Sequence, residues 1–242
     1  MPHKLSSQIC QDAKRNHLLA ALPPALLEQW SQELVLVDLQ LGQVLYEVGE
    51  TPGHAYFPVN TVVSILYVMD NGESAEIAIV GNEGVVGVSL FMGGGATSSR
   101  AVVQNAGLGF RLPADTLLKK FNEGGPILTL LLSYTQALMT QMTQTAACNR
   151  HHSLHQQLCR WVLLSLDRLE GNELVMTQQL IANMLGVSND QVIESAAELI
   201  TQGAIEYANG TILVHDRKSV EARCCECYSV VKKEYDRLLP PS

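Results

Sequence analysis

The spacing of apolar and polar residues differs between parts of the chain. Between residues 35 and 112 apolar residues tend to alternate with polar ones, and turn signals such as Asn71-Gly72 separate short runs. Turn signals spaced about eight to twelve residues apart predict several short strands, which form an antiparallel barrel or jelly roll that can enclose a pocket. Residues 1–34 and 114–122 have helical spacing instead, and Pro23-Pro24 interrupts the first of these segments.

A long helical pattern starts at residue 127, after the break at residues 124–126, and its seam alternates steps of four and three residues. This spacing is typical of a coiled coil and predicts a dimerisation helix over residues 125–150. The predicted seam residues are Ile127, Leu131, Tyr134, Leu138, Gln141 and Thr145. The alternative is a helix that covers the β-roll of its own chain. A hinge is expected near residues 150–153.

Residues 176–200 read as two helices joined by a tight turn. Thr177 can cap the first helix, Gly186 can end it, and Ser188 can cap the second. β-favouring residues then flank Asn209-Gly210, which is a strong hairpin signal. A helix-turn-helix followed by a hairpin describes a winged helix, and the tail from Ser219 is predicted to add one amphipathic helix.

The pattern therefore predicts an α+β protein with three parts. Residues 1–124 hold N-terminal helices and an antiparallel β-roll (jelly-roll) sensor domain, residues 125–150 the dimerisation helix, and residues 151–242 the winged helix-turn-helix domain.

The charge distribution works against tight DNA binding. The chain has a net charge of -8 and a pI near 5.3. Neither Lys nor Arg occurs between Arg168 and Arg217, a gap that contains the whole helix-turn-helix and wing. Because affinity for DNA depends largely on neutralising phosphates, any contact in this region must rely on other groups.

Three features indicate a cytoplasmic protein. No run of about 18 apolar residues predicts a membrane span, so no membrane partner is expected. The first residues lack the apolar centre of a secretion signal. The six cysteines do not form a regular disulfide framework, which indicates reduced thiols.

The order of these elements, together with the stretches LGQVLYEVGE, YFPVNTVVSILY and MTQQLIANMLGVSNDQV, resembles the Crp/Fnr family of transcriptional regulators. The resemblance implies a cyclic-nucleotide-binding-like β-roll, a dimer helix and a winged helix that binds DNA. It also implies a homodimer that reads a palindromic operator in double-stranded DNA, with RNA polymerase as a further candidate partner.

The family's nucleotide pocket matches residues 85–103 only in part. The resemblance gives as candidate pocket residues Gly87, Val88, Ser89, Ser99 and Arg100. Val88 stands where the ribose-binding Glu is expected, and Ser99 where the phosphate-binding Arg is expected. Arg100 is shifted by one residue, which on a strand turns a side chain to the other face. Cyclic AMP is therefore not expected, while another small ligand and a filled roll remain open.

The second helix also departs from the family pattern. Asn189 and Glu194 replace two Arg residues that members commonly use, and Asp190 replaces a Glu. The amides of Asn189 and Gln191 suit adenine and Asp190 suits cytosine, but each lost Arg–guanine pair removes roughly 1–3 kcal/mol of discrimination. The candidate DNA-binding residues are Thr177, Gln178, Ser188, Asn189, Asp190, Gln191, Glu194 and Asn209.

Two groups of cysteine and histidine residues have spacings that metal sites use. On a continuous helix, Cys148, His152, His155 and Cys159 share one face, and the tail holds a second group at Cys224, Cys225 and Cys227. Such spacing suits soft metal ligands, but ordinary thiols are the favoured interpretation, and neither a metal nor a cofactor is assigned.

Two hypotheses for function remain. The first is a homodimeric DNA-binding regulator that senses an unknown signal through the roll. The alternative is a member deficient in DNA binding that acts through protein contacts or heterodimers, which the gap in basic residues motivates. No catalytic motif is found, so the chain is not expected to be an enzyme.

Overall fold

The computed structural model describes residues 2–93 and 95–239. None of the helices in these ranges is long and apolar enough to cross a membrane.

Three short helices open the chain: α1 (Pro2–Ala13), α2 (His17–Ala20) and α3 (Pro24–Trp30). Asn16 caps α2 by accepting a hydrogen bond from the Leu19 N–H at 3.1 Å. Its side-chain amide also donates to the backbone carbonyls of Pro58 and Gly84, both at 2.9 Å. These buried hydrogen bonds attach the N-terminal helices to the strands that follow.

Seven strands form the β-roll: β1 (Val35–Leu39), β2 (Val44–Tyr46), β3 (His54–Pro58), β4 (Val62–Val68), β5 (Ser74–Val80), β6 (Arg100–Asn105) and β7 (Gly107–Pro113). They make two antiparallel sheets, ordered β1-β7-β3 and β2-β6-β4-β5. The hairpin between β4 and β5 turns at Gly72, whose φ of 85° is the left-handed conformation that the Asn-Gly pair predicts. The predicted antiparallel roll is thus confirmed.

Three helices then lead out of the roll: α4 (Ala114–Glu123), α5 (Pro126–His151) and α6 (Leu154–Leu166). The chain becomes extended at His152 and Ser153, and Ser153 begins α6 with a capping box shared with Gln156. A break therefore separates α5 from α6 at the predicted hinge.

The C-terminal part contains β8 (Glu173–Val175), α7 (Gln178–Leu185), α8 (Asn189–Thr201), β9 (Ile205–Ala208) and β10 (Thr211–Val214). Its small sheet has the order β8-β10-β9. The tail forms two helices, α9 (Arg217–Arg223) and α10 (Glu226–Leu238), so the prediction of one tail helix is wrong. The chain is extended at Cys224 and Cys225, which breaks the helix and directs α10 along α5.

One apolar core continues from the N-terminal helices to α10, so the C-terminal part packs directly on the roll. Helix α7 lies against β5, and α10 packs along α5. A buried polar chain also joins the two parts: Ser64 Oγ lies 2.6 Å from a carboxylate oxygen of Glu76 and 2.8 Å from Gln104 Oε1, and Gln104 donates to Ser165 Oγ on α6 at 3.1 Å.

Candidate nucleic-acid interface and β-roll cavity

The helix-turn-helix is built from local signals in the sequence. The hydroxyl of Thr177 accepts a hydrogen bond from the Leu180 N–H and begins α7. Gly186 ends α7 in the left-handed conformation, with φ of 69°. Ser188 then begins α8 in a reciprocal capping box with Gln191. These contacts determine where the two helices begin and end.

The wing is the hairpin of β9 and β10. Its turn residues Asn209 and Gly210 both have positive φ, 52° and 75°, as a two-residue hairpin turn of the type I′ class requires. The Tyr207 hydroxyl donates to the Met176 carbonyl at 3.2 Å, which ties the wing to the segment before α7.

The outer surface of α8 is acidic along one edge and apolar along the next. Asp190, Glu194 and Glu198 are exposed and follow each other at intervals of four residues. Ile193 and Ile200 lie beside them with 47% and 43% of their surface exposed. No Lys or Arg belongs to α8. This surface therefore presents carboxylates and methyl groups where a DNA-reading helix usually presents cations and amides.

Two amides that the sequence assigns to adenine recognition also form hydrogen bonds within the turn. Asn189 Nδ2 donates to Gln179 Oε1 on α7 at 2.9 Å. The Gln191 side-chain oxygen accepts from the Ser188 N–H at 3.0 Å. Of the remaining candidates, Gln178 lies at the first position of α7, where its side chain is half-buried, and Asn209 lies at the tip of the wing.

Some of the cations that flank the winged helix are paired with carboxylates. Arg217 pairs with Asp167 and Glu221, and Arg223 pairs with Glu198. Burial lowers the pKa of Arg217, but these hydrogen-bonded carboxylates outweigh it and raise the pKa above its ordinary value. Arg150, Lys218 and Lys233 are exposed and form no ion pair within the described ranges.

The candidate pocket of the β-roll is a cavity of about 40 Å³. Gly87, Val88, Ser89 and Ser99 line it, together with the larger side chains of Tyr46, Leu138 and Met142. The Ser89 hydroxyl is buried and has no hydrogen-bond partner in the described part of the chain. Burial raises the pKa of Tyr46 to about 12, and a hydrogen bond from Ser99 opposes this, so the phenol remains neutral.

Arg100 does not join this cavity. Its guanidinium Nε lies 2.7 Å from a carboxylate oxygen of Glu47, in a half-exposed ion pair on the roll surface. Its neighbour Ser99 faces the cavity. The one-residue shift read from the sequence therefore separates the cation from the other four candidate residues.

The predicted seam of α5 is buried inside its own chain, which corrects its assignment to dimerisation. All six side chains, from Ile127 to Thr145, are at most 7% exposed. Gln141 shows why: it donates to the Ile79 carbonyl of β5 and accepts from Arg168 and from Tyr235 of α10. The heptad spacing arises because the helix lies in a groove between the roll and α10.

A second heptad face of α5 points outward. Its residues repeat at steps of three and four and are exposed: Thr129, Leu132, Gln136, Met139, Thr143 and Ala146. Leu132 and Met139 have 45% and 54% of their surface exposed. The sequence did not predict this face, because the inner seam contains more apolar residues and gives the stronger heptad pattern.

Sequence reasoning also treated two cysteine groups as separate. The break after α5 moves His155 and Cys159 onto α6, so they no longer continue the face of Cys148 and His152. The packing of α10 on α5 instead brings Cys225 and Cys227 to Cys148 and His152.

Sequence models of two domain families match this chain. The cyclic nucleotide-binding domain matches residues 36–123, which contain the β-roll, and the Crp-like helix-turn-helix domain matches residues 156–223. No curated protein sequence matches the chain.

Solved structures resemble the chain along most of its length. A protein assigned to the Crp/Fnr family of transcriptional regulators, from Eubacterium rectale, has a TM-score of 0.64 and 16% identity, over 85% of this chain and 96% of that one. FixK2 from Bradyrhizobium japonicum has a TM-score of 0.65 and 15% identity, over 79% of this chain and 98% of that one. CLP of Xanthomonas campestris is described as a c-di-GMP-responsive global regulator. It has a TM-score of 0.61 and 14% identity, over 79% of this chain and 99% of that one.

Proposed function

Because this chain belongs to the Crp/Fnr family of transcriptional regulators, we propose that it acts in the cytoplasm as a homodimer that binds double-stranded DNA. Its β-roll senses a signal other than cyclic AMP, and α5 and the hinge pass that signal to the two winged helices.

The observation that carries the DNA-binding role is the complete winged helix with an outward-facing second helix. Thr177, Gly186 and Ser188 form the caps that such a unit needs, and the outer face of α8 is exposed. In a dimer, two such helices enter successive major grooves about 34–36 Å apart and read a near-palindrome.

The charge of α8 sets the character of this binding. Asp190 and Glu194 repel phosphates, while Arg150, Lys218 and Lys233 are exposed cations that form no ion pair in the described ranges. Because each neutralised phosphate contributes to affinity through counterion release, few available cations give weak binding with a shallow dependence on salt. Specificity then depends on amides, carboxylates and DNA shape.

Two features support a signal other than cyclic AMP. Small-molecule pockets commonly have volumes of about 300–1,000 Å³, whereas the roll cavity has about 40 Å³. Arg100, the nearest cation in sequence, is paired with Glu47 outside the cavity. A nucleotide phosphate would therefore have neither room nor a partner in this conformation.

The homodimer is supported by the outward heptad face of α5. An exposed stripe that contains Leu132 and Met139 and follows coiled-coil spacing is suited to a second copy of the same helix. Because α5 also packs on the roll through its inner face, a change in the roll can alter the pairing of the two helices.

DNA selection from a random pool tests the central proposal. The purified full chain is incubated with the pool at low salt. Binding to the recovered sequences is then measured as the salt concentration is raised to the physiological value. We expect a palindrome to be enriched, and we expect the affinity for it to fall steeply when the spacing between its half-sites is changed. A stable dimer that enriches no sequence at any salt concentration contradicts DNA binding.

In a second candidate function, the chain is a regulator that no longer binds DNA and acts through protein contacts. The acidic and apolar edges of α8 favour it, because they are suited to a basic amphipathic protein surface rather than to phosphates. In this case the chain forms heterodimers with a DNA-binding family member and removes it from DNA. Mixing the two proteins and measuring the partner's DNA binding separates this candidate from the first.

A further inference from the structure

Four metal-binding side chains meet where the C-terminal helix crosses the hinge. Cys148 is in the last turn of α5, and His152 is the first residue beyond it. Cys225 caps α10, and Cys227 is the second residue of that helix. One donor atom from each of these four residues lies within 4.8 Å of all the others.

Two of the donor–donor distances fit a single tetrahedral ion. Cys148 Sγ lies 3.5 Å from Cys225 Sγ, and Cys227 Sγ lies 3.6 Å from His152 Nδ1. With Zn–S bonds of about 2.3 Å and Zn–N bonds of about 2.0–2.1 Å, tetrahedral geometry places neighbouring donors about 3.5–3.8 Å apart. Three thiolates and one imidazole are also a common donor set of closed, structural zinc sites.

The orientation of His152 supports the same assignment. Its Nε2 lies 3.4 Å from a carboxylate oxygen of Glu226, while Nδ1 faces the thiols. A proton on Nε2 directed at this carboxylate leaves the lone pair of Nδ1 available for a metal. Metal-binding histidines usually have such a carboxylate or carbonyl behind them, which fixes the ring and strengthens its donor atom.

The buried thiols pack mainly against one another. Cys148, Cys225 and Cys227 are at most 5% exposed, yet they form a small cluster separate from the main core, with Cys224 at its edge. Three thiolates, a neutral histidine and a divalent ion together carry a net charge of -1. The buried guanidinium of Arg160 donates to the hydroxyl of Thr145, three residues before Cys148, at 3.1 Å, and its Nε has no hydrogen-bond partner in the described ranges. A positive group therefore stands beside the site.

We propose that Cys148, His152, Cys225 and Cys227 bind one zinc-class ion that joins the hinge to the C-terminal helix. This assignment departs from the sequence-based expectation of no metal. The ion would hold the end of α5 and the start of α10 together, and so would restrain the hinge across which a signal from the roll must pass.

Metal content and cobalt spectroscopy test the proposal on the full chain. The protein is purified under reducing conditions without chelator, and its metals are measured by mass spectrometry. Metal-free protein is then titrated with Co²⁺ and back-titrated with Zn²⁺. We expect one equivalent of metal per chain, with the visible bands of tetrahedral Co²⁺ and a thiolate-to-cobalt charge-transfer band that Zn²⁺ abolishes.

Cysteine variants identify the ligands. We expect Cys227→Ser to weaken Co²⁺ binding at least tenfold and to reduce the charge-transfer band, whereas Cys10→Ser and Cys224→Ser retain both. Cys10 is remote from the site, and Cys224 adjoins it without belonging to the set of four. Equal losses in Cys224→Ser and Cys227→Ser overturn the assignment, as does wild-type protein that binds less than a tenth of an equivalent or contains a Cys148–Cys225 disulfide in place of metal.

Glu226→Gln provides a test that does not remove a ligand, in case the cysteine variant fails to fold. The Glu226 side chain is largely exposed, so its replacement leaves the fold intact. Loss of the group behind a metal-binding histidine typically weakens metal affinity about 10–100-fold, and we expect the lower end because of this exposure. Glu234→Gln, on the same helix and paired with Arg237, is the matched control. Unchanged affinity in Glu226→Gln contradicts the assigned role of His152.

Discussion

Glu76 is a carboxyl group enclosed between the β-roll and α6. Burial raises its pKa to about 7 from an ordinary value of 4.5, and this outweighs the hydrogen bond from Ser64 and the attraction of Arg160 and Arg168, which lower the pKa. The group therefore titrates near neutral pH at the contact between the roll and the C-terminal part.

We predict that the free energy of unfolding falls as the pH rises from about 4.5 to about 7 and then levels off. In this window the folded chain keeps a proton on Glu76 that the unfolded chain has released. The full effect corresponds to roughly 3 kcal/mol, since one pKa unit is worth about 1.4 kcal/mol. Urea denaturation across this pH range should show that Glu76→Gln removes most of the slope.

Glu73→Gln is the control, because Glu73 is exposed in the β4–β5 turn on the same hairpin. If Glu76→Gln and Glu73→Gln have the same effect on the pH dependence, Glu76 is not the responsible group.

Gly186 determines the turn of the helix-turn-helix. Its φ is 69°, and a methyl group added there would meet nothing within 4 Å, so the penalty for Gly186→Ala is conformational. We expect the free energy of unfolding to decrease by about 1 kcal/mol, which is the cost of left-handed backbone for a residue with a side chain. Gly53→Ala is the matched control, since that position is equally open and has no positive φ. A smaller loss than in the control contradicts this account.

The caps and turns could be predicted from sequence because each depends on neighbours within a few residues. Thr177, Gly186, Ser188 and the Asn209-Gly210 turn all have their expected places. The partner of Asn189 could not be predicted in the same way. Its amide donates to Gln179, ten residues earlier, and this contact exists only once α7 and α8 have packed.

At the scale of an element, the acidic edge of α8 determines how strongly the unit can bind DNA. We expect Glu194→Arg to raise affinity for random duplex DNA and to steepen the slope of log K against log salt by about one, because one more phosphate can be neutralised. Fluorescence anisotropy across a salt series measures both quantities. Glu28→Arg has the same charge change on α3, away from α8. Equal responses of the two variants would mean that only total charge matters.

For helix α5, the spacing of apolar residues predicts a buried face but not what covers it. A seam at steps of four and three predicts burial of one helix face, and Ile127 to Thr145 are indeed buried. The spacing cannot identify what covers that face, because a partner helix and the chain's own sheet demand the same apolar stripe. The order of strands and helices was predictable, whereas the docking of α10 on α5 was not, because it joins residues far apart in sequence.

At the scale of the whole molecule, the outer face of α5 should control assembly. Met139→Asp would place a carboxylate in a helix–helix seam and should raise the dimer dissociation constant at least about tenfold, a loss of roughly 1.4 kcal/mol. Sedimentation equilibrium measures this change. Met69→Asp is the control, because Met69 is similarly exposed, at 46% against 54%, but lies in the β4–β5 hairpin. A dimer that tolerates Met139→Asp must use another surface.

The cysteine and histidine cluster also exists only at this scale. Cys148 and Cys225 are 77 positions apart, and they meet only because the helix break at Cys224 directs α10 back along α5. Their separate local spacings gave no reason to join them. Sequence alone could identify the donor residues but not the site.

Tyr235 closes the groove in which α5 lies. Its hydroxyl donates to Gln141, its ring meets the edge of Tyr134, and the Arg168 guanidinium lies 5.6 Å from the centre of that ring. During synthesis the ribosome releases the β-roll and α5 well before it releases α10. Until α10 has been synthesised, one side of the long helix α5 therefore stays uncovered, and the nascent chain most needs a chaperone in the interval before α10 leaves the exit tunnel.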